Sequence, residues 1–118
     1  MKNIKYLHKA RDKKGNIVRV KSENFPGDIL QQELDKLNIS QKKAAAIMGI
    51  PTSNINDMIR GVRPISVLVA LRLEKAFGMD AAYWINLQVR YLIELSRLDV
   101  RVKKKLSKIK PFISAIAK

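Results

Sequence analysis

The 118-residue chain has no cysteine and a single histidine. Without cysteine, thiol chemistry, disulfides and thiolate metal sites are excluded. His8 alone cannot form a histidine-based metal cluster, and it reads as a strand or surface residue. No apolar run approaches the roughly 18 residues of a membrane span, and the N-terminus lacks an apolar signal region. The five glycines form no phosphate-cradling loop, and no serine stands at a plausible spacing from the histidine. The expectation is a cytoplasmic protein that is not an enzyme, carries no cofactor or metal and makes no use of a membrane. Aromatics are also scarce, with three Phe, three Tyr and one Trp. Tyr83, Trp84 and Tyr91 fall on helical faces, which argues against a base-stacking platform for single-stranded RNA.

What the chain has in excess is positive charge, +14 overall. It is unevenly spread. Residues 1–21 hold eight Lys/Arg against one acid, residues 22–96 eight against eight, and residues 97–118 eight against one. Two arms of +7 therefore flank a neutral centre. Such arms suit phosphate neutralisation, which gives salt-dependent and sequence-independent affinity. The competing reading is a pair of solvated tails that aid solubility.

The most informative stretch is SQKKAAAIMGIPTSNINDMIRG, residues 40–61. Ser40 is a good N-cap for a helix from Gln41 to Met48. Gly49 stops that helix where a positive φ is needed, and Pro51 cannot continue it. Thr52 and Ser53 are candidate caps of the next helix, which ends at Gly61. Ile55, Met58 and Ile59 turn inward, leaving Ser53, Asn54, Asn56, Asp57 and Arg60 outside. Ala45, Gly49, Ile50, Ile55 and Met58 stand where a helix-turn-helix needs a small residue, a turn and apolar anchors. A plain helical hairpin in a bundle would satisfy any one of these positions, but five in register point to DNA.

Around this core the chain reads in order. Residues 4–21 alternate as a hairpin turning at Asp12–Asn16, with a disordered basic arm as the alternative. A first helix starts at Pro26-Gly27 and runs to about Leu37, with Ile29, Leu30, Leu34 and Leu37 inward and Asp28 at its positive end. A fourth, capped by Ser66, runs to Phe77 with Leu68, Leu71, Leu73 and Phe77 inward. A fifth, capped by Asp80, runs to about Leu98. Trp84, Leu87, Tyr91 and Leu98 share one of its sides, and Ile85, Val89, Leu92 and Ile93 widen the stripe beyond one core face. The surplus suggests a subunit or partner interface. Beyond Leu98, Val102, Leu106, Ile109, Ile113 and Ile116 keep helical spacing among lysines until Pro111 interrupts. This predicts a kinked basic amphipathic helix, which could alternatively lie on an anionic membrane. The division expected is a basic hairpin or arm over 1–22, a DNA-binding domain over 23–98 and a basic tail over 99–118.

Residues 24–91 resemble the HigA (VapI-type) antitoxins, a branch of the Xre-like helix-turn-helix proteins. The likeness rests on FPGDILQQELDKLNISQKKAAAIMGIP, INDMIRGVRPIS and ALRLEKAFGMDAAYWINLQ, the last with its Trp followed by Asn-Leu-Gln. It implies a mainly α, five-helix domain that forms a homodimer and represses its own promoter through a double-stranded operator. It also implies neutralisation of a small ribosome-dependent mRNA-cleaving toxin of the HigB type. By position, Gln41 would brace phosphate and recognition helix, while Thr52, Ser53 and Asn54 would contact base edges and phosphates. With the exposed neighbours Lys42, Lys43, Asn56, Asp57, Arg60 and Arg63 these make the candidate DNA-binding set. Asp57 departs from what a groove favours, because a carboxylate repels phosphate and could accept only from cytosine N4. A stand-alone regulator without a toxin, or an RNA-binding module driven by the lysines, are the other readings.

Overall fold

The computed structural model describes residues 10–18 and 25–113. The expectations for Ile4, Tyr6, His8, Val20, Ile116 and the other residues beyond these ranges lie outside it. Strand β1 (Ala10–Arg11) pairs antiparallel with β2 (Ile17–Val18), Ala10 opposite Val18. Between them the Asp12 carboxylate accepts from the backbone N–H groups of Lys14 and Asn16 at 2.9 and 3.0 Å, and Gly15 takes φ +83°. The hairpin is short, but it sits where the sequence places its turn.

Six helices follow among the described residues: α1 (Pro26–Lys36), α2 (Gln41–Met48), α3 (Thr52–Ile59), α4 (Val67–Phe77), α5 (Ala81–Leu98) and α6 (Val100–Leu106). Ser40 and Ser66 cap α2 and α4 as expected, their hydroxyls accepting from Lys43 N–H at 3.0 Å and Val69 N–H at 3.1 Å. Two expected caps are not formed. Pro51, extended at ψ 144°, holds the cap position of α3, and its carbonyl accepts from Asn54 N–H at 3.0 Å. Thr52 and Ser53 are already helical, with exposed side chains. At α5 the Asp80 side chain makes no capping bond; Glu74 of α4 accepts from Ala81 N–H at 3.0 Å instead.

The core joins Leu30 and Leu34 of α1, Ala45 and Met48 of α2, Ile55 and Met58 of α3, Ile65, Leu73 of α4, and Trp84 and Leu87 of α5. On α4 the inward face is Ala70 and Leu73, while Leu68 and Leu71 are 60% and 47% exposed. The helix is apolar almost all round, so its pattern does not fix its rotation. The small Ala70 lets the backbone approach its neighbours, which puts the larger leucines outside. Leu37 and Leu98 are likewise outside, and Leu95 takes the buried place expected of Leu98. Gly27 lies against the last turn of α3, so close that a Cβ there would fall 2.2 Å from the Ile59 carbonyl oxygen.

A second, smaller cluster of Ala10, Tyr91 and Leu95, with Phe25 against it, lies under the hairpin. Phe25 and Tyr91 pack with their rings tilted by 48° and centroids 5.1 Å apart, and Phe25 also abuts Gly61 after α3. Helix α6 ends at Leu106, earlier than the spacing predicts, and Leu106, Ile109, Phe112 and Ile113 are exposed. Pro111 would remove a bond from any further turn, and the apolar stripe has no surface among the described residues to bury against.

Candidate nucleic-acid interface

Helices α2 and α3 are fixed by their own ends. Gly49, at φ +72°, closes α2, and the Ile50 N–H donates back to the Ala45 carbonyl at 3.0 Å, a Schellman closure. Arg72 of α4 secures the same turn, donating from Nη1 to the Met48 carbonyl at 2.6 Å. Gly61, at φ +77°, ends α3 in the same way, with Val62 N–H donating to the Asp57 carbonyl at 2.9 Å. The angle between the helices is therefore set by backbone bonds on both sides of the turn.

Gln41 stands at the junction. Its Oε1 accepts from Asn56 Nδ2 at 3.3 Å, and its Nε2 donates to Gln31 Oε1 at 3.3 Å, joining α1, α2 and α3. Lys42 and Lys43 are exposed in the first turn of α2, which carries no acid. Cations at the positive end of a helix cost stability rather than adding to it, and the same corner attracts anions. Thr52 and Ser53 are exposed at the start of α3, with Asn54 half-buried beside them.

Asp57 is held between two arginines, with Arg60 Nη1 at 3.7 Å and Arg63 Nη2 at 3.5 Å. These are exposed pairs, each contributing about 0–1 kcal/mol. Their effect is to offset the carboxylate locally and to hold both guanidinium groups beside it. The structure thus brings Gln41 and Asn56 into contact and groups Asp57, Arg60 and Arg63. Lys42, Lys43, Thr52, Ser53 and Asn54 flank them without side-chain bonds to the group.

Three positioning residues escaped the sequence reading: Gln31, Arg72 and Gln88. Gln88 of α5 grips the Ile65 backbone from both sides, its Oε1 accepting from the N–H at 2.5 Å and its Nε2 donating to the carbonyl at 2.9 Å. It imitates a strand neighbour and so holds the loop that carries Arg63. The available signal was a polar residue set among the apolar stripes of α5. Among the described residues no three His, Cys, Asp or Glu side chains converge to hold a metal. No described helix is long and apolar enough to cross a membrane.

The surface offers polar side chains at the start of one helix, lysines at the start of another, and two arginines on a braced loop. That combination can read base edges while holding phosphates. A family model described as helix-turn-helix matches residues 30–84. Virulence-associated protein I of Dichelobacter nodosus is 36% identical over 75 residues, covering 63% of this chain and 69% of that protein. Among solved structures, an addiction module antidote protein of the HigA family from Coxiella burnetii superposes with a TM-score of 0.68 at 34% identity. It is covered over 96% of its length and spans 75% of this chain. The Pseudomonas aeruginosa antitoxin HigA with the higBA promoter gives 0.68 at 31% identity, with the same coverage of each chain.

Proposed function

The chain belongs to the HigA (VapI-type) branch of the Xre-like helix-turn-helix proteins, which are DNA-binding regulators, and from that premise we propose that it is a sequence-specific repressor acting as an antitoxin. In this reading it binds a double-stranded operator at its own promoter as a homodimer and neutralises a HigB-type mRNA-cleaving toxin. The observation that carries the DNA part is the Gln41–Asn56 junction. It locks the first turn of α2 to α3, so that Thr52, Ser53 and Asn54 enter a groove while Lys42 and Lys43 lie along the phosphates. Arg60 and Arg63 extend the same edge. Dimerisation falls to the uncovered side of α5, where Val89 and Ile93 are 48% and 46% exposed.

Binding of the full chain to DNA from its own promoter region tests the assignment. Ser53→Ala combined with Asn54→Ala should cost on the order of 1–3 kcal/mol on the operator and leave random duplex nearly untouched. Equal losses on both would reduce these residues to phosphate holders. For the toxin, growth rescue on co-expression with the small reading frame beside the gene is the expected result. Absence of any such frame leaves a stand-alone regulator using the same DNA surface.

A further inference from the structure

The two basic arms, remote in sequence, meet at one buried carboxylate. Asp99 is 4% exposed at the junction of α5 and α6. Its Oδ2 accepts from the backbone N–H of Arg11 in β1 at 3.2 Å, closing 88 residues of chain. From the other side Arg101 donates through its backbone N–H at 2.8 Å, through Nε at 3.0 Å and through Nη2 at 2.6 Å. Helix α6 packs on both α5 and β1, so the hairpin and the tail helix form one body.

Within that body the acids are already engaged. Asp99 serves Arg11 and Arg101, while Asp12 serves the hairpin turn. Lys13, Lys14, Lys103, Lys104 and Lys105 are exposed, and none has a carboxylate partner among the described residues. The helix-turn-helix body between the arms is net neutral over residues 22–96. An apolar column of Phe25, Tyr91 and Ala10 runs from Gly61, at the end of α3, to the latch.

We propose that Asp99 latches the hairpin and α6 into a single preassembled platform that binds the phosphodiester backbone of duplex DNA beside the site read by α3. The chemistry is that of unpaired ammonium groups meeting phosphates and releasing counterions. Duplex DNA is the favoured polyanion because the platform adjoins the end of α3, and the exposed aromatic side chains among the described residues, Tyr83 and Phe112, lie outside the hairpin and α6. Recognition of unstacked RNA bases would draw on several. The platform rests on the DNA reading above and goes beyond it, because α3 alone does not require it. A quarter of this chain also lies outside the match to the Coxiella antidote protein.

The test is the salt dependence of binding by the full chain, on operator and on random duplex. Lys103→Gln, Lys104→Gln and Lys105→Gln together keep the apolar positions and alter only exposed ones. The slope of log K against log salt should become shallower by roughly 2–3 per subunit on both DNAs. Asp99→Asn supplies a sign test. Removing a negative charge near bound DNA ordinarily strengthens binding; here, with the latch opened, binding should weaken. An unchanged slope in the lysine variant, tighter binding by Asp99→Asn, or a preference for RNA over DNA duplex at equal salt would each overturn the platform. Failure of the unaltered chain to bind any duplex would instead overturn the DNA reading itself. Should Asp99→Asn fail to fold, the lysine variant decides alone.

Discussion

At the scale of single residues, Gly27 shows how position overrides propensity. A glycine inside a helix is ordinarily improved by alanine, by about 1 kcal/mol in the interior. Here the added methyl would fall 2.2 Å from the Ile59 carbonyl oxygen, which is backbone and cannot swing aside. Gly27→Ala should therefore destabilise the chain, on the order of 2–3 kcal/mol, by forcing α1 off the end of α3. Urea melts decide the matter; a gain in stability would mean the two helices part without cost. Glycine in the sequence marks a helix start here, but the partner that demands it is 32 positions away and left no local trace. The roles of Gln31 and Arg72 were illegible for the same reason, and Gln88 showed only as a polar residue among apolar stripes. Each acts on a group at least 10 residues distant, and no periodicity reports such a bond.

At the scale of elements, most of the layout could be read from the sequence. Helices α2 to α5 fall where their serines, glycines and apolar spacings put them, because caps and stops are local chemistry. The faces were harder. Leu68 and Leu71 lie outside while Ala70 lies inside, since an almost wholly apolar helix is oriented by its neighbours. Polar caps competed too, with Glu74 displacing Asp80 at the start of α5. The candidate site divides in the same way. The exposed set on α2 and α3 and the Asp57–Arg60 pair follow from spacing, whereas the pairing of Asp57 with Arg63 needs the turn at Gly61 to bring it round. Helix α5 carries the dimer prediction. Of the residues that widen its stripe, Leu92 is half-buried and Ile93 is 46% exposed. Ile93→Asp should leave a folded chain that sediments as a monomer and binds its operator weakly, because dimers read half-sites about 34 Å apart. A dimer of unchanged mass in sedimentation would move the interface elsewhere.

At the scale of the whole molecule, charge and stability meet at Asp99. The Arg101 side chain, then backbone N–H groups of Arg101 and Arg11, hold its carboxyl well below the usual carboxylate range, against burial that pushes the other way. The folded chain therefore binds that proton less readily than the unfolded one. The latch contributes its full stabilisation above the ordinary carboxylate value of about 3.9, and loses it as pH falls below that toward the depressed folded value. Asp99→Asn cannot titrate there. The unaltered chain should exceed it by on the order of 1–3 kcal/mol near neutrality, the range for bonds to a charged group, and the gap should shrink steadily below about pH 4. Thermal melts across pH 2–7 measure it, and a gap independent of pH would show that the carboxylate charge is irrelevant to the joint.

That same joint also orders events in time. A bond between residues 88 apart in sequence should form late, after the neighbouring contacts of α2 and α3 have paired. By the same reckoning it should open early when the native state fluctuates, and exchange of the Arg11 amide proton would be its clock. Opening would scatter the lysines while the recognition surface, held by its own turns, stays whole. In the course of denaturation the protein should forget how tightly to hold its target before it forgets which target to hold.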